Sequence, residues 1–172
     1  QKTAYEILTC DWSSDVCSSD LDERARIKNR FIDKKGGTER IAELRDEMTK
    51  AMETGAGIYR SEVSLKDTCN ALAELRGRFS NIKIEDKSLT FNTELVSALE
   101  LDFMIDVAQA LAHSALARTE SRGSHQRTDF PERNDKDFLK HSLAYLTSDG
   151  PEIKYKDVVI TSWPPEERVY GR

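Results

Sequence analysis

Hydrophobic positions recur at helical spacing through the middle of the chain. After Thr38, the residues Ile41, Leu44, Met48, Ala51 and Met52 fall at i, i+3, i+7, i+10 and i+11, and Gly55 closes the pattern. That spacing predicts an amphipathic helix with one apolar face and a glycine just past its end. A second pattern begins at Ser64, which forms a capping-box-like pair with Asp67, and continues through Leu65, Cys69, Leu72, Leu75 and Phe79. The polar connection NIKIEDKSLTF then leads to Asn92, an N-cap residue, with Glu94 placed to complement the dipole of a third helix. From Leu95 to Ala117, 16 of 23 residues are Ala, Val, Ile, Leu, Met or Phe, so apolar surface wraps most of the circumference. Two shorter helices can hardly cover all of it, and a larger partner surface is expected over the remainder.

Around this trio the patterns are shorter. DERARIKNRFIDKKGG carries Ile27 and Phe31 four positions apart and predicts a short helix over 22–37 that stops at Gly36 and Gly37. Downstream, a loop dense in charge precedes FLKHSLAYL and IKYKDVVIT, two β-rich runs separated by TSDGP, which predict a hairpin. The ending SWPPEERVYGR is extended by Pro164 and Pro165 and is expected to dock through Trp163 and Tyr170. The expected fold is therefore mainly α. A three-helix antiparallel bundle of the spectrin-repeat kind spans 38–122, and the charged loop, β-hairpin and extended tail fill 123–172.

Residues 1–21, QKTAYEILTCDWSSDVCSSDL, show neither a helical stripe nor sustained alternation. They also lack the basic and apolar regions of a secretory signal. The string TAYEILTCDWSSDVCSSDL resembles translated sequencing-adapter read-through, so this segment is expected to be non-native and disordered. A metal or redox site at Cys10 and Cys17 is the alternative, but C-x6-C matches no zinc or thioredoxin spacing. The segment holds one lysine and four acids, which leaves the rest of the chain with a net charge of −2 against −5 overall. It also leaves a single cysteine, Cys69, in an apolar helical pattern, which rules out a disulfide framework there and suits a reducing compartment.

Composition removes several function classes. No run of about 18 apolar residues is present to span a bilayer. Charged residues make up 33% of the chain with acids in excess, which is not the basic footprint of a nucleic-acid binder. None of the eight glycines stands in a G-x-G-x-x-G or G-x-x-x-x-G-K pattern that would cradle phosphate.

Two constellations carry candidate chemistry. Asp102, Asp106, Gln109 and His113 share one face of the long helix, in the manner of a metal or proton-relay strip. The two other helices offer no histidine to complete a bundle site, so a solvated or interface-facing polar stripe is the simpler expectation. The second constellation follows the long helix: Arg118, Glu120, Ser121, Arg122, His125, Arg127, Asp129, Glu132, Arg133 and Asp135. Clustered arginines can clamp a dicarboxylate with bidentate hydrogen bonds, and His125 titrates near neutral pH. Yet four arginines face four acids across 118–135, and a self-satisfied network fixing the loop against a neighbouring surface accounts for them more simply. His141 falls in the first hairpin run and is given no catalytic role.

Several strings carry a family resemblance: IAELRDEMTKAMETGAGIYR, FNTELVSALEL, AHSALARTESRGSHQRTDFPERNDKDFLKHSLAY and VVITSWPPEERVYG. Through them residues 39–172 resemble the C-terminal region of the flavoprotein subunit of fumarate reductase and succinate dehydrogenase. The stretch from His113 to His125 is the most specific. L-aspartate oxidase shares an ESRG-H-like stretch, but DFPERND and SWPPEERVYG look more like the fumarate reductase and succinate dehydrogenase branch, within which fumarate reductase is the first expectation. The resemblance implies a quinone-linked, fumarate–succinate-interconverting enzyme that carries FAD. It also implies flavin and capping domains as neighbours, an iron–sulfur partner subunit, and a cytoplasmic location tied to the inner membrane through partner subunits. The family's flavin-linking histidine, dinucleotide loop and substrate-binding residues match no position of this sequence. No catalytic, cofactor or metal residue is therefore carried over, and Arg118, Glu120, Arg122, His125, Arg127 and Asp129 are expected to have a structural, interdomain role. The competing class is a free-standing helical interaction module.

Overall fold

The computed structural model describes residues 15–166. Helix α1 runs Asp15–Ile27 and continues into a single π-helical turn, Lys28–Ile32. Helices α2 (Ile41–Gly55), α3 (Glu62–Phe79) and α4 (Thr93–Ala117) follow, with the two-residue strand β1 (Tyr59–Arg60) between α2 and α3. After α4 come β2 (Gln126–Arg127), a single helical turn α5 (Asp135–Phe138), β3 (Lys140–Thr147) and β4 (Gly150–Asp157). The mainly α class, the antiparallel three-helix bundle and the C-terminal hairpin are all present.

The main core forms where the helical stripes meet. Leu44 and Met48 of α2, Leu72, Leu75 and Phe79 of α3, and Leu101 and Ile105 of α4 pack together. Phe31 of the π turn closes one end, edge-on to Phe79 at 6.2 Å between ring centroids. At the other end Leu65, from the start of α3, meets Ala115 near the end of α4 and Ala56 just after α2, which sets α3 antiparallel to both neighbours. The buried line of α4 is rich in alanine (Ala98, Ala108, Ala112 and Ala115), so its neighbours approach closely. On its outer side, Phe103 and Val107 are 62% and 66% exposed.

Gly55 shows how tightly α2 and α3 meet. A Cβ added there would overlap Thr68 Oγ1 and lie 2.6 Å from the Ser64 carbonyl oxygen, which is backbone and cannot swing aside. Gly55→Ala is expected to destabilise the chain by about 1–3 kcal/mol through overpacking, although alanine is the better helix former. Chemical denaturation checks this, and a neutral or stabilising result contradicts the close packing.

The C-terminal hairpin is antiparallel, pairing Lys140 with Asp157 through to Thr147 with Gly150. A two-residue Ser148–Asp149 turn and a positive φ of 113° at Gly150 close it. It docks on the end of α4, where the Tyr155 hydroxyl donates to the Ala117 carbonyl at 3.1 Å.

Some boundaries differ from the expectation. Helix α1 begins at Asp15 and crosses the boundary set at residues 21 and 22, so 15–21 are helical rather than disordered. Adding residues to an existing helix needs no new nucleus, so weak helix formers are carried along without a stripe of their own. The cysteines and the remainder of that segment fall where side chains, or for 1–14 the whole backbone, lie outside the described residues. The upstream helix does not run to its glycines: its last turn ends at Ile32, and Gly36 and Gly37 instead supply positive φ values of 82° and 112° in the connection to α2. The N-cap of α3 is Ser61, not Ser64; Ser64 is the third helical residue and completes the capping box with Ser61. Helix α2 starts at Ile41, three residues after Thr38, whose amide donates to the Asn81 carbonyl at 3.1 Å. Trp163 is exposed rather than docked, and Tyr170 lies outside the described residues.

Candidate functional site

The charged constellation after α4 folds into a compact seam, and its centre is a buried guanidinium. Arg127, only 1% exposed, faces the C-terminus of α4. The last carbonyls of a helix have no intrahelical donor, and Arg127 Nη1 reaches those of Ala115, Leu116 and Arg118 at 3.2, 3.3 and 3.2 Å. Its Nε and Nη2 make paired 2.7 Å bonds to the two carboxylate oxygens of Asp129. Asp129 in turn accepts the backbone N–H of Glu62, the first residue of α3, at 2.7 Å. One ion pair thus caps the end of α4 and the start of α3 together, each with the charge its dipole favours. The Arg127 hydrogen bonds, helped by the Glu62 amide, hold the Asp129 carboxyl far below its usual range despite partial burial.

Glu120 is the second hub and is fully buried. It accepts from Arg118 Nη1 at 2.5 Å, from Arg122 Nε and Nη2 at 2.9 and 3.1 Å, and from the Asn134 amide at 2.8 Å. Burial alone would raise its pKa, but the bonds from Arg122, the Asn134 amide and Arg118 outweigh burial and hold it below the ordinary glutamate value. Arg118 continues outward to the Phe138 and Lys140 carbonyls at 2.8 and 2.6 Å and so ties the seam to the start of the hairpin. Arg122 also donates to Asp135 at 2.5 Å, and these two carboxylates raise its pKa. Parallel pairing of β1 with β2, Tyr59 with Gln126 and Arg60 with Arg127, stitches this loop to the turn between α2 and α3.

The structure thus brings Arg118, Glu120, Arg122, His125, Arg127 and Asp129 into one seam. Its guanidinium groups are engaged by carboxylates and backbone carbonyls, so a dicarboxylate clamp would have to displace these partners. Three arginines outside the expected set take part in such pairing. Arg60 donates to His125 Nδ1 at 2.9 Å, and Arg30 and Arg76 both pair with Asp102, at 2.7 and 2.6 Å. Asp102, held by both arginines, is buried, as is Gln109, so neither belongs to a solvated stripe, and Asp106 pairs with Arg76. Burial lowers the pKa of His113, and among the described residues no group of three His, Cys, Asp or Glu is arranged to hold a metal ion.

A flavin dinucleotide needs a pyrophosphate cradle of free backbone amides or uncommitted cations. A cleft of about 810 Å³ opens beside the first turns of α2 and α4, but Glu43, Asp46, Glu85 and Glu94 line it alongside Arg40, Arg45 and Lys83. That mixture of signs does not suit a diphosphate.

The family described as fumarate reductase flavoprotein C-term matches residues 45–170. The chain belongs to this family. It is 48% identical over 165 residues to the fumarate reductase flavoprotein subunit of Serratia sp. (strain ATCC 39006), which covers 92% of this chain and 28% of that protein. Against the succinate dehydrogenase flavoprotein subunit of Rickettsia conorii identity falls to 40%, over 84% of this chain and 26% of the relative. A solved chain of E. coli quinol fumarate reductase superposes with a TM-score of 0.81 at 42% identity, covering 94% of this chain and 27% of that one. The chain spans little more than a quarter of the length of these flavoprotein relatives, and the region it matches is the helical C-terminal domain. Both hubs of the seam, Glu120 and the Arg127–Asp129 pair, lie inside the matched region. Arg30 lies before it, while Arg60 and Arg76 lie within it, each far in sequence from its carboxylate or imidazole partner.

Proposed function

We propose that this domain is a scaffold for a fumarate-reducing flavoprotein: it packs beside flavin and capping domains that supply FAD, substrate binding and turnover, and it holds no reacting group itself. The whole protein would interconvert fumarate and succinate in exchange with quinone. An iron–sulfur subunit would carry the electrons, and partner subunits would hold the assembly to the cytoplasmic face of the inner membrane. Among the described residues no helix is long and apolar enough to cross a membrane. Higher identity to the fumarate reductase relative than to the succinate dehydrogenase relative favours the fumarate reductase branch.

The observation that carries this reading is the outer face of α4. Val96, Phe103, Val107 and Leu111 recur at spacings of seven, four and four, and all are exposed. A continuous apolar stripe of this kind on a helix already packed on its other sides marks a surface built to be covered. The test is a chimera in which this chain replaces the matching region of the E. coli fumarate reductase flavoprotein. Bound flavin and fumarate reduction are expected. Val107→Glu should abolish both while leaving the melting of the chain alone unchanged, since Val107 makes no part of the core. A Val107→Glu chimera as active as its parent would remove the covered-face argument.

A further inference from the structure

The two ring nitrogens of His125 face partners with no freedom of role. Arg60 Nη1 lies 2.9 Å from Nδ1, and a guanidinium can only donate, so Nδ1 must be the bare acceptor. The Arg118 carbonyl lies 3.2 Å from Nε2 and can only accept, so Nε2 carries the proton. The neutral Nε2–H tautomer satisfies both contacts, and a proton added at Nδ1 would set one donor against another. We propose that His125 is an acid-sensitive latch that holds the turn between α2 and α3 against the loop after α4 and releases it when the ring is protonated.

The latch sits where release has a structural consequence. Arg60 belongs to β1, and its carbonyl accepts the Thr128 amide at 2.8 Å, next to the Arg127–Asp129 double cap. His125 itself closes a tight backbone bridge with Arg122, amide to carbonyl in both directions at 2.8 and 3.0 Å. The charged groups around the ring are Arg60 from β1, Arg118 from the end of α4 and Arg127 from β2, all cationic. The nearby carboxylates of Glu120 and Asp129 are committed to Arg118, Arg122 and Arg127. An imidazolium would therefore meet three cations with no free anion. Burial, with the nearby charges of Arg60, Arg127 and Arg118, accordingly lowers the His125 pKa, against the bond to the Arg118 carbonyl, which raises it. A histidine depressed on folding contributes stability that is whole above its unfolded value, about 6.5, and is lost as pH falls from there through the folded value.

The proposal goes beyond the scaffold reading and does not depend on the family's chemistry. Nitrogen-15 NMR of the full chain should show His125 as the Nε2–H tautomer with a pKa below that of a free histidine. Hydrogen exchange, corrected for intrinsic rates, should show the Thr128 and His125 amides losing protection on the order of tenfold between pH 7.5 and 5, while the Leu72 amide in the core of α3 does not. In His125→Gln, which keeps an acceptor and a donor but cannot titrate, that loss should vanish. An Nδ1–H tautomer, an ordinary or raised pKa, or an equal loss of protection in His125→Gln would each overturn the latch. The tautomer reading needs only the wild-type chain, so the proposal stays testable if the variant does not fold.

Discussion

Replacing Arg127 with alanine is expected to cost about 3–5 kcal/mol of unfolding free energy, the range found when one partner of a buried ion pair is removed. The substitution strips the donor from the Ala115 and Leu116 carbonyls, leaves the Arg118 carbonyl with only the His125 ring, and leaves Asp129 without its paired bonds. Asp129 would still cap the Glu62 amide, but the Ala115 and Leu116 carbonyls at the end of α4 would lose their donor, the first of them at a buried residue. Arg127→Lys should recover little of the loss, because a single ammonium cannot make the bidentate contact and reach the carbonyls at once. Arg133 is the internal control: it lies in the same loop, is paired with Asp135 at 2.9 Å and is far more exposed than Arg127, so Arg133→Ala should change stability by less than about 1 kcal/mol. Urea denaturation at neutral pH decides the matter. A loss at Arg127 no larger than at Arg133 would mean the guanidinium does not carry the double cap.

The contrast between those two arginines shows what a sequence can and cannot display. Helix α2 was legible because Ile41, Leu44 and Met48 bury one face at a spacing a helix alone produces, and α4 because Leu95–Ala117 is apolar all round. The hairpin was legible because its turn residues sit between two β-rich runs. Helix starts were less so: Ser61 and Ser64 are both good caps, and only the backbone tells which lies outside the helix. The π turn at Lys28–Ile32 leaves no periodic trace, since five residues are too few to set a period. The balance of charge after α4 could be counted, which is why the seam was expected to satisfy itself. Its wiring could not be counted, because Arg60 meets His125 across 65 positions and Arg30 meets Asp102 across 72. Two residues of parallel pairing between β1 and β2 carry no signal of their own, yet they bring Arg60 to the ring.

The second large effect is expected at Glu120. Four donors, from Arg118, Arg122 and the Asn134 amide, converge on a carboxylate that solvent does not reach. Glu120→Gln keeps the shape but turns one accepting oxygen into an NH2 group that points donors at donors, and it leaves two partly buried cations without their common anion. A loss of about 3 kcal/mol at neutral pH is expected, with the hairpin start loosening first because Arg118 reaches it through the Phe138 and Lys140 carbonyls. The pH dependence separates ionisation from packing. Folding lowers the Glu120 pKa, so its contribution is whole above the unfolded glutamate value of about 4.3 and is lost as pH falls from there through the folded value. The stability gap between wild type and Glu120→Gln should therefore be widest above about pH 5 and should narrow on acidification below about pH 4. The glutamine variant marks the cost of neutralising that one site. A gap that stays constant from pH 7 down to pH 3 would mean Glu120 acts through its shape, and that its charge is not what holds Arg118 and Arg122 in place.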